Sequence, residues 1–186
     1  MPIQSGPATA GGRKNIAATA SRGNFAGKAA LSRFQAKLET PFAVVGVRTE
    51  GGKLAEVVYL PRSTATLAPT NALAERVCAQ IEKYVADPGF RFRLPMKDAG
   101  TAFQRRVWNA LASIPCGQTR TYGDIARLLR SAPRAVGQAC GTNYWPLLIP
   151  CHRVVAAGGL GGFAHHSGGY LIEVKRWLLR HEQSAN

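Results

Sequence analysis

Proline and glycine punctuation limits what this chain can become. Pro88-Gly89, Pro115 with Gly117, and the Ser131-Ala132-Pro133 break cut the apolar pattern into segments too short for a long helix or a coiled coil. No apolar run reaches the roughly 18 residues that a membrane-crossing helix needs, and the first residues lack the apolar core of a secretory signal, so neither a membrane span nor export is expected. Before the first break, FAVVGVRT from Phe42 and KLAEVVYL from Lys53 are β-branched runs joined by Glu50-Gly51-Gly52, which reads as a hairpin. Leu73, Val77, Ile81 and Val85 then recur at four-residue steps and predict a helix between Asn71 and Asp87, and the short RFRL run from Arg91 suggests a further strand.

Beyond Gly100 the period is helical. Phe103, Val107, Trp108, Leu111 and Ile114 share one face, with Thr101 as a cap and Pro115 as a stop. Thr121 precedes YGDIARLL, which puts Tyr122, Ile125 and Leu129 on one side, and RAVGQAC follows after the break. Two short helices across a tight turn suggest a helix-turn-helix. Pro133 suits the first turn of the second helix, while Gly137 and Ala139 leave room for close approach by a large partner.

Charge points the same way. The chain carries 24 basic and 10 acidic side chains, a net charge of +14, which favours a polyanionic partner such as nucleic acid or an acidic membrane surface. Residues 41–99 are nearly neutral and both flanks are basic. Arg127, Arg130 and Arg134 lie close together with Asp124 as the one nearby acid, a face suited to phosphates. The first 38 or so residues, rich in Ala, Gly and Ser, read as a loose basic tail in preference to a transit peptide. Cys78, Cys116, Cys140 and Cys151 form no ligand-like spacing, and His165-His166 sits without partners in a Gly/Ser loop, so free thiols and no metal or other cofactor are expected.

The chemistry concentrates in Asn143–Val155, NYWPLLIPCHRVV, where a Cys-His pair is embedded in a proline-bounded apolar run. A thiol in apolar surroundings is inert unless a neighbour takes its proton, and His152 is the candidate. Adjacent side chains diverge, so a bridging water between Cys151 and His152 is the better geometry. The histidine then needs an orienting acceptor. In the second block only Asp124, Glu173 and Glu182 are acidic, and Glu182, at the end of VKRWLLRHE, completes a Cys, water, His, Glu relay.

From Phe103 to Glu182, TYGDIA, PRAVGQA, Asn143, Ile149-Pro150-Cys151-His152-Arg153-Val154, a Gly-rich loop and VKRWLLRHE occur in the order of the methylated-DNA–protein-cysteine methyltransferase family, which this chain resembles. The resemblance implies direct reversal of O6-alkylguanine, and of O4-alkylthymine, by irreversible single-turnover transfer of the alkyl group to Cys151 after the damaged nucleotide is flipped from the duplex. It implies a nucleophilic Cys151, a water-relaying base in His152, an orienting Glu182, and a Tyr122 hydroxyl directed at guanine N3. Arg134 would be the finger filling the vacated stack. Thr121, Ala135 and Gly137 would also meet DNA, Asn143 would act as a structural hinge, and Trp145, Pro146, Phe163 and Lys175 would form the substrate pocket.

The resemblance further implies minor-groove binding to double-stranded DNA; a monomer is the default expectation, and with neither a membrane span nor an export signal expected, so is an intracellular, cytoplasmic location. The expected architecture is a basic tail over 1–39, an α/β domain of ribonuclease H-like type over 40–99, and a winged-helix-like DNA-binding domain with helix-turn-helix over 100–186. Two features depart from the family: Tyr144 follows the hinge asparagine in place of proline, and Phe163 replaces a loop tyrosine in a longer loop reaching to Lys175. Two rivals remain in view. A non-catalytic alkyltransferase-like lesion binder is opposed by Cys151, and a cysteine hydrolase by the basic helix-turn-helix and Arg134.

Overall fold

A computed structural model of the chain describes residues 33–184. Strand β1 (Ala36–Glu39), β2 (Val44–Glu50) and β3 (Lys53–Leu60) form an antiparallel sheet in that order. The β2–β3 hairpin turns on Gly51 and Gly52, both with positive φ (56° and 73°), the backbone that a two-residue turn matching the strand twist requires. The expected hairpin is therefore present. The tail reading up to residue 39 needs correction at its end: residues 1–32 lie outside the described residues, but Ala36–Glu39 is the edge strand β1. Its signal was short, and order comes from tertiary contact. Ala36 is fully buried, and the Phe34 ring just before it lies 3.9 Å beneath the Arg48 guanidinium.

Helix α1 (Ala72–Ala86) starts where Asn71 caps it, its side chain accepting from Ala74 N. Val77 and Ile81 are buried as their spacing predicts, while Ala74, Cys78 and Tyr84 complete the buried face and Leu73 and Val85 sit at its margin. No strand forms over Arg91–Leu94. The Gln80 side chain satisfies both Arg93 backbone groups (Nε2 to O 3.1 Å, N to Oε1 2.8 Å), which removes the need for a ladder there. Only Met96 makes a bridge, parallel to Leu54.

Helix α2 (Ala102–Ala112) has a capping box between Thr101 and Gln104 and buries Val107, Trp108 and Leu111. A two-residue strand β4 (Arg120–Thr121) leads into α3 (Tyr122–Leu128), capped reciprocally by Thr121 and Asp124, and α4 (Pro133–Gly141) begins on its proline. After an irregular stretch, one 3₁₀ turn (Cys151–Arg153) and strand β5 (Val154–Val155) follow, β5 pairing in parallel with β4. Helix α5 (Tyr170–Gln183) is longer than the VKRWLLRHE pattern. Among the described residues no helix is long and apolar enough to cross a membrane.

The molecule is thus a mixed α/β structure whose sheet and helices share one core. Trp145 shows how they are joined: its indole N–H donates to Leu54 O in β3 (3.0 Å), and Val57 N donates to Tyr144 O (2.8 Å). Trp145→Phe should lower unfolding free energy in urea by about 1 kcal/mol through loss of that hydrogen bond. Trp145→Ala should lower it by about 3–5 kcal/mol through the cavity left in the core.

Candidate active site

Cys151 owes its position to one amide. Between α4 and the 3₁₀ turn the chain cannot be regular, because Pro146 and Pro150 lack the N–H groups a helix or ladder uses. Asn143 organises this stretch instead: its Nδ2 donates to Ile149 O (2.8 Å) and lies 3.4 Å from Cys151 Sγ, while its Oδ1 accepts from Trp145 N (2.9 Å). Cys151 is only 5% exposed. Burial pushes its thiol pKa up, with the Asn143 amide and the Lys175 ammonium pulling the other way. At rest Cys151 is a neutral thiol.

His152, fully buried, turns away from that thiol toward the end of α5, where its Nε2 meets Glu182 Oε1 at 2.7 Å. Glu182 is 1% exposed yet ionised. Burial works to raise its pKa, but hydrogen bonds from His152 and Arg153 outweigh it and hold the carboxyl well below the usual carboxylate range. Arg153 grips it with two nitrogens (Nε to Oε2 2.8 Å, Nη2 to Oε1 2.9 Å), and Tyr84 OH donates to Oε1 (2.9 Å). A carboxylate so placed can only accept, so the shared proton sits on His152 Nε2 and Nδ1 is left as the basic atom. Burial holds the His152 pKa below that of an ordinary imidazole, only partly offset by Glu182. The imidazole is therefore neutral and able to take a proton.

A cavity of about 390 Å³ opens at Cys151. Tyr122, Pro133, Gly137, Cys140 and Gly141 from α3 and α4 line one side, and Gly162–Ser167 line the other. Phe163 and His166 exchange two backbone hydrogen bonds of 2.8 Å, which forces Ala164 and His165 to positive φ (49° and 64°). The His165 ring packs so closely on Gly141 that a Cβ there would come within 2.2 Å of it. Lys175 is 0% exposed and holds this loop from beneath, donating to the carbonyls of Val154, Leu160 and Gly162 at 2.7, 2.8 and 2.9 Å. Burial lowers its pKa to about 8, and three acceptors match the three protons of an ammonium. Tyr122 OH donates to Gly162 O at 3.0 Å.

The sequence-derived candidates divide accordingly. Cys151, His152, Glu182 and Asn143 form one connected cluster, and Tyr122, Gly137 and Phe163 line the cavity with Cys151. Lys175 supports the cavity wall without lining it. Trp145 and Pro146 do not line it; Trp145 is committed to Leu54. The Thr121 hydroxyl is engaged with Asp124 as a helix cap. Arg134 is exposed at the start of α4 and Ala135 half-buried beside it, and Arg127 on α3 and Arg130 in the turn between the two helices are exposed as well. Sequence reasoning missed Arg153 and Tyr84. Arg153 had a signal, since a buried Glu182 needs a cation; Tyr84 had none, because it reaches Glu182 from 98 residues away.

Comparison with known proteins follows this geometry. Residues 102–184 match the family profile described as 6-O-methylguanine DNA methyltransferase, DNA binding domain. A methylated-DNA–protein-cysteine methyltransferase of Methanosarcina mazei is 42% identical over 111 residues, covering 58% of this chain and 67% of that protein. One from Shigella flexneri is 47% identical over 91 residues, covering 48% of this chain, and there the match spans about half, 51%, of the relative. The crystal structure of the Mycobacterium tuberculosis O6-methylguanine methyltransferase superposes with a TM-score of 0.68 at 33% identity, covering 81% of this chain and 92% of that one. The crystal structure of Mycobacterium tuberculosis OGT in complex with DNA superposes with a TM-score of 0.66 at 35% identity, covering 80% of this chain and 92% of that one. The buried Cys-His-Glu cluster and these similarities together place the chain in the methylated-DNA–protein-cysteine methyltransferase family.

Proposed function

We infer that this protein repairs DNA by taking the alkyl group of O6-alkylguanine onto Cys151. The observation that carries the reading is a buried thiol lining a cavity beside a neutral histidine whose other nitrogen is fixed by an ionised glutamate. The Cys151 proton passes through a water to His152 Nδ1, and the resulting imidazolium is stabilised by Glu182. The thiolate attacks the alkyl carbon, a C–S bond forms, and the C–O electron pair leaves with guanine O6. Tyr122 donates to guanine N3 and so disperses charge on the departing base, exchanging its present acceptor, Gly162 O, for the substrate. A thioether has no leaving group for a second round, so each molecule acts once. O4-alkylthymine presents the same alkyl–oxygen bond and falls within this chemistry.

The alkyl carbon is enclosed in the stacked pair, so the nucleotide must be rotated out to reach the cavity. Exposed Arg134 at the start of α4 is the side chain to fill the gap, with Ala135 and Gly137 allowing minor-groove approach and Thr121 and Arg130 near phosphates. The antiparallel β1–β3 sheet with α1 supports a ribonuclease H-like first domain, which β1 extends from the expected 40–99 back to residue 36, and α2 with the α3–α4 pair supports a winged-helix-like second domain over 100–186. The protein acts as a monomer, inside the cell where its DNA is. Cys151 favours repair over lesion binding alone.

The deciding experiment is intact-mass spectrometry after mixing the protein with duplex DNA holding one O6-methylguanine. The expected result is one added methyl per protein, on the peptide containing Cys151, and none for Cys151→Ala or undamaged DNA; binding without methyl gain would transfer the protein to the lesion-binding class. Single-turnover rates against pH should stay level down to the ordinary imidazole range near ~6.5 and fall only below it, because a depressed His152 pKa keeps the base neutral until the medium is more acidic. Glu182→Gln should slow transfer on the order of 100-fold, since it withdraws the charge that stabilises the imidazolium. Arg134→Ala should slow transfer from duplex DNA about tenfold and from single-stranded DNA much less, as only the duplex leaves a stack to fill.

A further inference from the structure

Among the described residues three buried side-chain nitrogen or oxygen atoms lack a hydrogen-bond partner: His152 Nδ1, the hydroxyl of Tyr59, and Arg48 Nε, whose guanidinium is paired with Glu56 through Nη1. The first is explained by the relay, which uses Nδ1 as its base. The second has no such account. Tyr59 is 6% exposed and lies in β3, on the sheet, outside every motif of the catalytic half. A phenol buried without a hydrogen bond is costly, and phenylalanine would serve packing alone.

The surroundings locate that hydroxyl. The Tyr59 ring lies 5.8 Å from the ring of Phe163, which lines the cavity with Cys151, and 6.0 Å from Phe42. The strand is pinned against the catalytic segment, with Val57 N donating to Tyr144 O at 2.8 Å and Tyr170 OH donating to Tyr59 O at 3.1 Å. Burial first, and then the proximity of Cys151, Tyr84 and Glu182, push the Tyr59 pKa well above the usual phenol range. The phenol therefore keeps its proton, behind the Phe163 wall of the cavity that Cys151 also lines.

We propose that Tyr59 is a positioning residue of the active site, its hydroxyl holding the water that carries the Cys151 proton to His152 Nδ1. A buried water persists when it finds two to four polar partners, and Cys151, His152 and Tyr59 supply three. The water accepts the Tyr59 O–H and the S–H proton and gives its own proton to Nδ1. Thiol and imidazole become thiolate and imidazolium, and the water and Tyr59 are unchanged. The sheet thereby takes part in activating the nucleophile, through a residue that touches neither substrate nor sulfur covalently. This inference rests on the relay of the proposed function, and its test includes a readout that needs no DNA.

Tyr59→Phe removes one oxygen that has no protein partner, so thermal stability should be unchanged or slightly higher. Three quantities are read on the full chain: duplex binding, single-turnover methyl transfer, and the pH dependence of Cys151 alkylation by iodoacetamide, located by peptide mass. The expected result is unchanged binding, methyl transfer slowed about fivefold or more at neutral pH, the worth of roughly one hydrogen bond, and an iodoacetamide profile displaced to higher pH. Equal rates and an unmoved profile overturn the proposal. A slower variant whose profile stays in place, or one that merely loses folded protein, assigns Tyr59 to packing and overturns it equally. If the wild-type protein transfers no methyl group while the alkylation profile still moves in Tyr59→Phe, the repair reading fails and the positioning role stands.

Discussion

The site depends on one ionised carboxylate kept almost out of water. Glu182 would be intolerable at 1% exposure without compensation. Arg153 supplies a full opposing charge through two bonds, His152 and Tyr84 supply further donors, and Arg153 Nη1 is itself tied to Ile114 O at 2.6 Å. Because the carboxylate comes from α5, its donors from α1 and the 3₁₀ turn, and the Arg153 anchor at Ile114 from just past α2, these four segments are fixed relative to one another by electrostatics as much as by packing. The tautomer of His152 follows from this arrangement, and with it the direction in which the thiol proton can leave.

The cavity wall uses a second buried charge in a different way. Lys175 meets no carboxylate; its ammonium is absorbed by three carbonyls of the loop and of β5. Its positive charge remains close enough to Cys151 to favour the thiolate. Burial keeps that thiol protonated, and Lys175 with the Asn143 amide reduces the penalty on its ionised form. The loop above it accepts left-handed backbone at Ala164 and His165, and the contact of His165 with Gly141 locks it against α4.

How much of this was legible depended on range. The hairpin, α1, α2 and the α3–α4 pair were readable because caps and periodicity are local: Asn71, Thr101, Thr121 and Pro133 each occupy the position their chemistry suits. The Cys151, His152, Glu182 set was reachable through ordered motifs and the scarcity of acids in the second block. Failures were contacts made across the chain. RFRL has strand composition, but Gln80 satisfies its backbone; β1 has a weak pattern, yet tertiary pairing orders it. Trp145 sits in a motif-rich stretch and reads as pocket, whereas its indole is consumed by Leu54 on the sheet. Tyr84 and Tyr59 belong to elements whose local sequence describes packing alone.

The separation of Tyr84, Cys151 and Glu182 along the chain also sets an order of events during synthesis. Cys151 is polymerised 31 residues before the carboxylate that pairs with His152, and the tyrosine that steadies that carboxylate long before either. A nascent chain that already contains Cys151 therefore carries an ordinary thiol with an untrained neighbour. In the proposed relay the base is complete only once α5 has docked, so competence waits on a contact between residues far apart in the chain.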